Sequence, residues 1–348
     1  MAMHSFSHRR FLMLRGSNII LLCSMLLTAC SPRVATSFWR IGTPADSVRP
    51  GYTVIHAEGK TRHCHPITQW DDSTNVDTYH QLHHHGVAVE SEQMAYRLYF
   101  DKKQTVDVYC KRTPRLELAE SHWYPNDSLL AAGYGDDILR VSGTIGVGSV
   151  KFWDGKKQVH IEAVRRHQHI ADQSRNKATI AVAALGCRIP GDTTGTEYPR
   201  SFVAQYTMQA GHRDMRCDVV ANYPIENLCT GVQTIPAKGG KDTVTIILPN
   251  GVLLASWGTD WPVNDSAKYA KETVGLGVFI PKKYAGLSVH DKQNNLCLLK
   301  LQATNAKQQT TSCHFYLTVC GATKENHPVA TSAEEWFQYL RRWARKLK

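Results

Sequence analysis

The chain predicts an all-β fold, a large β-sandwich that carries one C-terminal α-helix. Three observations lead there. Apolar and polar residues alternate at a period of two through many short segments. Turn dipeptides such as Asp154-Gly155 and Asn250-Gly251 stand between paired runs of that kind. A helical apolar stripe, by contrast, stands out at the very end.

The first residues are set apart from this fold. Arg9, Arg10 and Arg15 precede "NIILLCSMLLTA", an apolar run too short to span a bilayer and suited to a signal peptide. It closes on "LTAC", with Leu27 three residues before Cys30 and the small Ala29 just before it. This resembles a bacterial lipobox. Residues 1–29 are then a signal peptide and Cys30 is the lipidated start of the mature chain. Acyl chains there would anchor an exported protein at the periplasmic or outer-membrane surface of a Gram-negative bacterium. Mass spectrometry of the membrane fraction is expected to find an acylated Cys30; an unmodified start elsewhere would overturn this. Residues 30–50 show no sustained period and read as a tether, leaving 51–348 as a single large β-sandwich domain.

Charge narrows the partners. Lys and Arg total 41 against 30 Asp and Glu, a net +11; residues 1–29 hold three of the Arg and no acid, which leaves +8. No basic run with interleaved aromatics precedes the C-terminus, which argues against nucleic acid. An exported basic protein better fits an acidic polymer such as a uronate-bearing polysaccharide. The cysteines beyond Cys30 form no C-x-x-C pair, so a structural zinc site has no support, and spacing assigns no bridges.

Strands follow in order. In "MAYRLYFD", Met94, Tyr96, Leu98 and Phe100 fall on one face, and Ala95, Arg97 and Tyr99 on the other. "VDVYC" comes next, then the hairpin "SVKFWDGKKQVHIEA", then "ATIAVAAL", "SFVAQYTMQA" and "MRCDVVA". The hairpin "TVTIILPNGVLLASWG" precedes "GLGVFI", "LCLLKLQA" and "HFYLTVCG". Ser332 with Glu335 makes a capping box, and Trp336, Leu340, Trp343 and Leu347 form the helical stripe.

Two stretches carry candidate chemistry. The first is "YHQLHHHGVAVESEQMAYRLYF". If it is extended, His83 and His85 share a face, His84 takes the other, and Glu90 and Glu92 follow on one face. Imidazoles can shuttle protons or ligate a divalent metal, held here by His80 to His85 with Glu90 or Glu92. Arg97 falls opposite the core-like residues, where a guanidinium can grip a carboxylate through two parallel hydrogen bonds. The alternative is a solvated polar rim. In the second stretch, "GYGDDILRVSGTIGVGSVKFWDGK", no helix pattern follows Gly143, Gly146 and Gly148, so they are no phosphate loop and mark bulges or close neighbours. Tyr134, Asp136 and Asp137 lie in a loop just upstream.

"YHQLHHHG", "ESEQMAYRLYFD", "YGDDILRVSGTIGVGS" and "FWDGK" resemble, in order and spacing, the family known as domain of unknown function 4861. "LCTGV", "WGTDWP", "LGVFIP" and "SAEEWFQYL" extend a looser likeness, so that it covers roughly residues 65–345. The resemblance implies a galactose-mutarotase-like supersandwich. It also implies an exported bacterial protein encoded beside uronate-polysaccharide enzymes. The N-terminal sandwich portion looks shortened here.

Together these readings give a carbohydrate-active lipoprotein, foremost a polysaccharide lyase. Elimination needs a base, a cation against the sugar carboxylate and an acid for the leaving oxygen. His83 or His85, Arg97 and Tyr134 supply these, with Tyr96 as an alternate phenol. A mutarotase or epimerase could use His85 with Glu90, and hydrolysis could use Asp136 with Glu90. The expected substrate contacts are His80, His84, Tyr96, Asp136, Asp137 and Trp153. A non-catalytic glycan-binding accessory protein would need only aromatic platforms such as Trp123, Trp153, Trp257 and Trp261.

Overall fold

A computed structural model describes residues 32–42, 53–57, 60–72, 78–121, 123–190, 200–237, 242–305 and 310–347. Residues 1–29, expected to form a signal peptide, and Cys30 lie outside the described residues. From Arg33 onward the described residues form one compact unit.

One layer is a large antiparallel sheet. Its spatial order is Asp242–Leu248, Gly251–Asp260, Glu272–Pro281, Thr310–Gly321, Met215–Ala221, Phe202–Gln209, Lys177–Arg188, Glu162–Gln173 and Gln69–Asp72, with Gln302–Asn305 paired to Thr310–Gly321. Two five-stranded sheets pack across its apolar face. The first runs Val34–Ser37, Ala88–Ser91, Met94–Leu98, Val106–Cys110 and Asp136–Asp137; the second runs Gln158–Val159, Lys151–Trp153, Leu228–Gln233, Asn294–Leu299 and Ala285–His290. Val89, Met94, Tyr96 and Leu98 from the first, Phe152, Leu228 and Val232 from the second, and Ile180, Tyr206, Val219 and Phe315 from the large sheet meet in one core. The fold is a β-sandwich.

Both hairpins form, with shifted turns. Trp153 pairs with Gln158, so the first turn holds four residues, and the Asp154 carboxylate accepts from the N–H groups of Lys156 and Lys157 at 2.8 Å. Leu248 pairs with Gly251, which puts Pro249-Asn250 in the second turn and Gly251 in the strand. The helix spans Ala333–Arg345, and Ser332 Oγ accepts from Glu335 N at 3.3 Å. Its Trp336 lies where a side chain on Gly275 would fall, 2.7 Å from an added Cβ, so the glycine makes the groove that the indole fills.

The tether reading of residues 30–50 is corrected for part of that span. Val34–Ser37 pairs with Ala88–Ser91, Trp39–Gly42 pairs with Lys60–Pro66, and Val34 and Phe38 are buried. Two four-residue strands are too short to display a period.

The first five-stranded sheet positions the site. Register sets Arg97 opposite both Ala88 and Asp107, Ala95 opposite Glu90 and Tyr109, and Tyr109 opposite Asp137. One face of the sheet therefore carries three carboxylates and a guanidinium among small and aromatic residues. It is not open to water. Leu118 and Trp123, on the segment after Cys110, pack on Ala88, Ala95 and Tyr109.

Candidate functional site

The guanidinium of Arg97 is the centre of that covered face. Nε and Nη2 donate to Asp107 Oδ2 at 3.0 and 2.7 Å, and Nη2 also donates to the Tyr99 hydroxyl at 2.7 Å. Nη1 donates to the His84 carbonyl at 3.4 Å, and Asp137 Oδ2 lies 3.7 Å from Nη2. The guanidinium carbon stands 4.3 Å from the Trp123 ring centre and 4.6 Å from that of Tyr99. Arg97, Asp107 and Asp137 are 0, 1 and 2 % exposed.

Two buried carboxylates facing one cation cannot both ionise easily. Burial raises Asp107, while the adjacent Arg97 pulls it back. Burial and then the repulsion of Asp107 push Asp137 well above the usual carboxylate range. Burial likewise raises the phenols of Tyr99 and Tyr124, the latter hydrogen-bonded to Asp137. The cluster thus favours a proton on Asp137 beside the Arg97–Asp107 pair, an arrangement suited to giving and taking protons.

Half-buried aromatic rings surround it. Tyr79 lies edge-on to Tyr99 at 6.4 Å and to His85 at 5.0 Å, and Tyr124 lies edge-on to Tyr269 at 6.2 Å. Such rings suit the apolar faces of sugars.

The histidine segment is not extended, which corrects the face assignment made from its sequence. His83–His85 form a short 3-10 segment kinked at His84, in which His84 and His85 have φ of 61° and 60°. Gly86 must follow, because an added Cβ would sit 1.9 Å from the Leu98 carbonyl oxygen. His83 and His84 are therefore buried, their rings 4.0 Å apart, with His84 Nε2 3.3 Å from the Leu118 oxygen. His85 reaches the aromatic rim, and exposed His80 lies edge-on to Tyr79 at 5.9 Å.

Several expected site residues have other duties. Glu90 is no base: it pairs with buried Lys111 and accepts from the N–H groups of Glu117 and Leu118 at 2.8 and 3.0 Å, pinning the covering segment. Glu92 pairs with Arg33 and accepts from Gly211 N. With both carboxylates committed, the proposed histidine–glutamate metal cage does not assemble, and no group of three or more potential ligands is placed to hold a metal among the described residues. Tyr96 is a core residue whose hydroxyl donates to the Arg213 carbonyl at 2.6 Å, so it is no substrate-facing phenol. Arg97 is likewise enclosed and neutralised by Asp107 rather than presented to a groove. Tyr134 donates to Glu120 under the Arg115 guanidinium, and that hydrogen bond first, with burial, pushes its phenol up to about 12. Trp153 packs in the second small sheet near Ile145, Cys229 and Leu296, and Trp257 packs with the helix. The cysteines from Cys110 to Cys320 are buried thiols.

Asp136 points away from its neighbour Asp137, toward Lys324 at 3.7 Å, which itself contacts Glu272 at 2.8 Å. Burial, opposed by Lys324, pushes the Asp136 carboxyl up to about 6. A raised carboxyl pKa favours the fold while protonated, so that contribution is full below pH about 4 and lost as pH rises through about 6. Asp136→Asn keeps an acceptor for the Asp137 N–H and removes the titration. The variant is expected to match the wild type near pH 4 and to exceed its unfolding free energy at pH 7 by up to about 2–3 kcal/mol. Equal stability difference at both pH values, measured by urea unfolding, would contradict this.

The sequence reading had Arg97 and Asp137 but missed Asp107, Tyr99 and Tyr124. An acid between two valines in "VDVYC" was the available signal, because a charge inside an apolar strand pattern needs a partner across the sheet.

A sequence model of the family described as domain of unknown function (DUF4861) matches residues 47–348. No curated protein matches the chain.

Proposed function

The chain belongs to the DUF4861 family, and from that premise we propose that it is a carbohydrate-active enzyme on uronic-acid-containing poly- or oligosaccharides, acting as a polysaccharide lyase. The observation that supports this is the pair Asp107 and Asp137 on one guanidinium, set under a rim of half-buried aromatic rings.

In elimination a base takes the C5 proton, the C4–O bond breaks, a C4=C5 double bond forms, and the leaving oxygen gains a proton. Asp137 takes the acid's part in place of Tyr134, since burial and Asp107 favour its protonated form. His85, on the rim beside Tyr79 and Tyr99, is the base. The sugar carboxylate needs a cation other than Arg97, whose charge Asp107 already meets. Lys103 is the cation we propose: its Nζ lies 5.6 Å from the Tyr99 ring centre and 3.3 Å from the Asp101 carboxylate, and it would share its charge between Asp101 and the sugar. The same reading has the protein exported and held by acyl chains on Cys30, from the lipobox residues.

A second reading, a non-catalytic glycan-binding protein, is favoured by the near-complete burial of Arg97, Asp107 and Asp137. One experiment separates them. Purified protein is incubated with a panel of uronate polysaccharides, reading ultraviolet absorbance and product mass. Elimination gives shorter, unsaturated products with no added water; hydrolysis adds water without absorbance; intact polymer with measurable binding leaves the accessory role.

A further inference from the structure

A cleft of about 510 Å³ opens on the second five-stranded sheet, between the Trp153–Gln158 turn and the turn before Asn294. Exposed Lys157 and Lys292 line it with Lys102, Gln158, His160 and Asn294. A hollow of about 240 Å³ shares Asp291 and Asn294 with it and adds Thr234, Thr243, Thr245 and Asn295.

Three lysines, Lys102, Lys157 and Lys292, against two carboxylates, Glu162 and Asp291, leave the cleft lining one positive charge in excess. Asp291 lines it, but its oxygens accept from Gln293 N at 2.8 Å, Asn294 Nδ2 at 2.8 Å and Gln158 N at 3.1 Å. Glu162 is paired with Arg188 at 3.5 Å.

Its polar groups are also unfinished. Gln158 Oε1 and His160 Nδ1 in the cleft, and Thr243 Oγ1 in the adjoining hollow, are buried without a hydrogen-bond partner among the described residues. Buried polar atoms are rarely left so, and each such group calls for a ligand or water. Burial, then the nearby Lys151 charge, pushes His160 down to about 4, so at neutral pH it offers a neutral donor and acceptor. Amides, hydroxyls and a neutral imidazole suit sugar hydroxyls; separated lysines suit carboxylates spaced along a chain. A compact phosphate would call instead for an arginine fork or a nest of backbone N–H groups.

The cleft and the Arg97 site flank one turn. Lys102 lines the cleft, while the next residue, Lys103, lies against Tyr99 at the site's rim.

We infer that this cleft is a binding subsite for the carboxylated stretch of an acidic oligosaccharide that also reaches the Arg97 site. The inference rests on the acidic-glycan reading above, and its size fits a ligand pocket.

The test is calorimetric titration of the full chain with tetragalacturonate and tetramannuronate as acidic probes and galactotetraose as the neutral one. The Asp137→Asn background keeps ligand from being consumed. Lys157→Glu/Lys292→Glu changes two exposed residues, and its unfolding midpoint should stay at the parent's value. The expected result is at least a tenfold rise in Kd for the acidic probe that binds, a weaker salt dependence, and no change toward the neutral one. An unchanged Kd for that probe in a folded double variant overturns the cleft assignment and leaves the Arg97 reading standing. Failure of the parent to bind either acidic probe overturns both. An equal loss for neutral and acidic probes overturns the charge argument and hence the proposal.

Discussion

Alanine at both Asp107 and Asp137 is expected to lower the unfolding free energy by about 3–5 kcal/mol, more than the two single changes added together. The reason is the Arg97 charge. It is wholly buried, and Asp107 meets it at 2.7 Å while Asp137 waits at 3.7 Å. In Asp107→Ala the repulsion that helps keep Asp137 protonated disappears, so Asp137 can ionise and replace the lost counter-ion. In Asp137→Ala both hydrogen bonds to Asp107 survive. Only the double variant leaves the guanidinium with the Tyr99 hydroxyl and the His84 carbonyl. Adding Arg97→Met to the double variant should recover part of the loss, because an apolar side chain needs no counter-ion. Urea unfolding of the singles, the double and the triple decides it; strictly additive singles, or a triple worse than the double, would show that the carboxylates do not stand in for each other.

How much of this was legible in the sequence follows from which contacts are local. The period of two put Arg97 on the face opposite Met94 and Leu98, and the register keeps it there. The capping box and the stripe through Trp336 and Leu340 likewise needed only neighbours along one helix. What failed depended on chain arriving from elsewhere. The face carrying Arg97 was read as open because the cover bearing Leu118 and Trp123 has no period of its own. Glu90 read as a base because its partners, Lys111 and two backbone N–H groups, lie across the sheet and in that cover. The turn that buries His83 and His84 depends on φ values near 60°, which residue types alone do not announce. The cleft was invisible for the same reason: Lys102, Lys157 and Lys292 come from three separate turns.

Asp137→Asn is expected to lower kcat by about 10²–10⁴-fold while acidic oligosaccharides still bind. Asparagine preserves the shape and the acceptor that Leu139 N uses at 2.9 Å, but it has no proton to give a leaving oxygen. Stability should change little or rise, since a buried ionisable group is removed while the Arg97–Asp107 pair is untouched. A pH profile distinguishes this acid from a merely structural residue. Turnover needs Asp137 protonated, so it should fall as pH rises through that raised pKa. Asp107→Asn removes the like charge that helps raise it, and the alkaline limb should then move to lower pH. A folded Asp137→Asn protein with wild-type kcat removes Asp137 from the chemistry. An alkaline limb unmoved by Asp107→Asn would mean that the group titrating in the profile lies outside this carboxylate pair, with His85 on the rim the next to be varied.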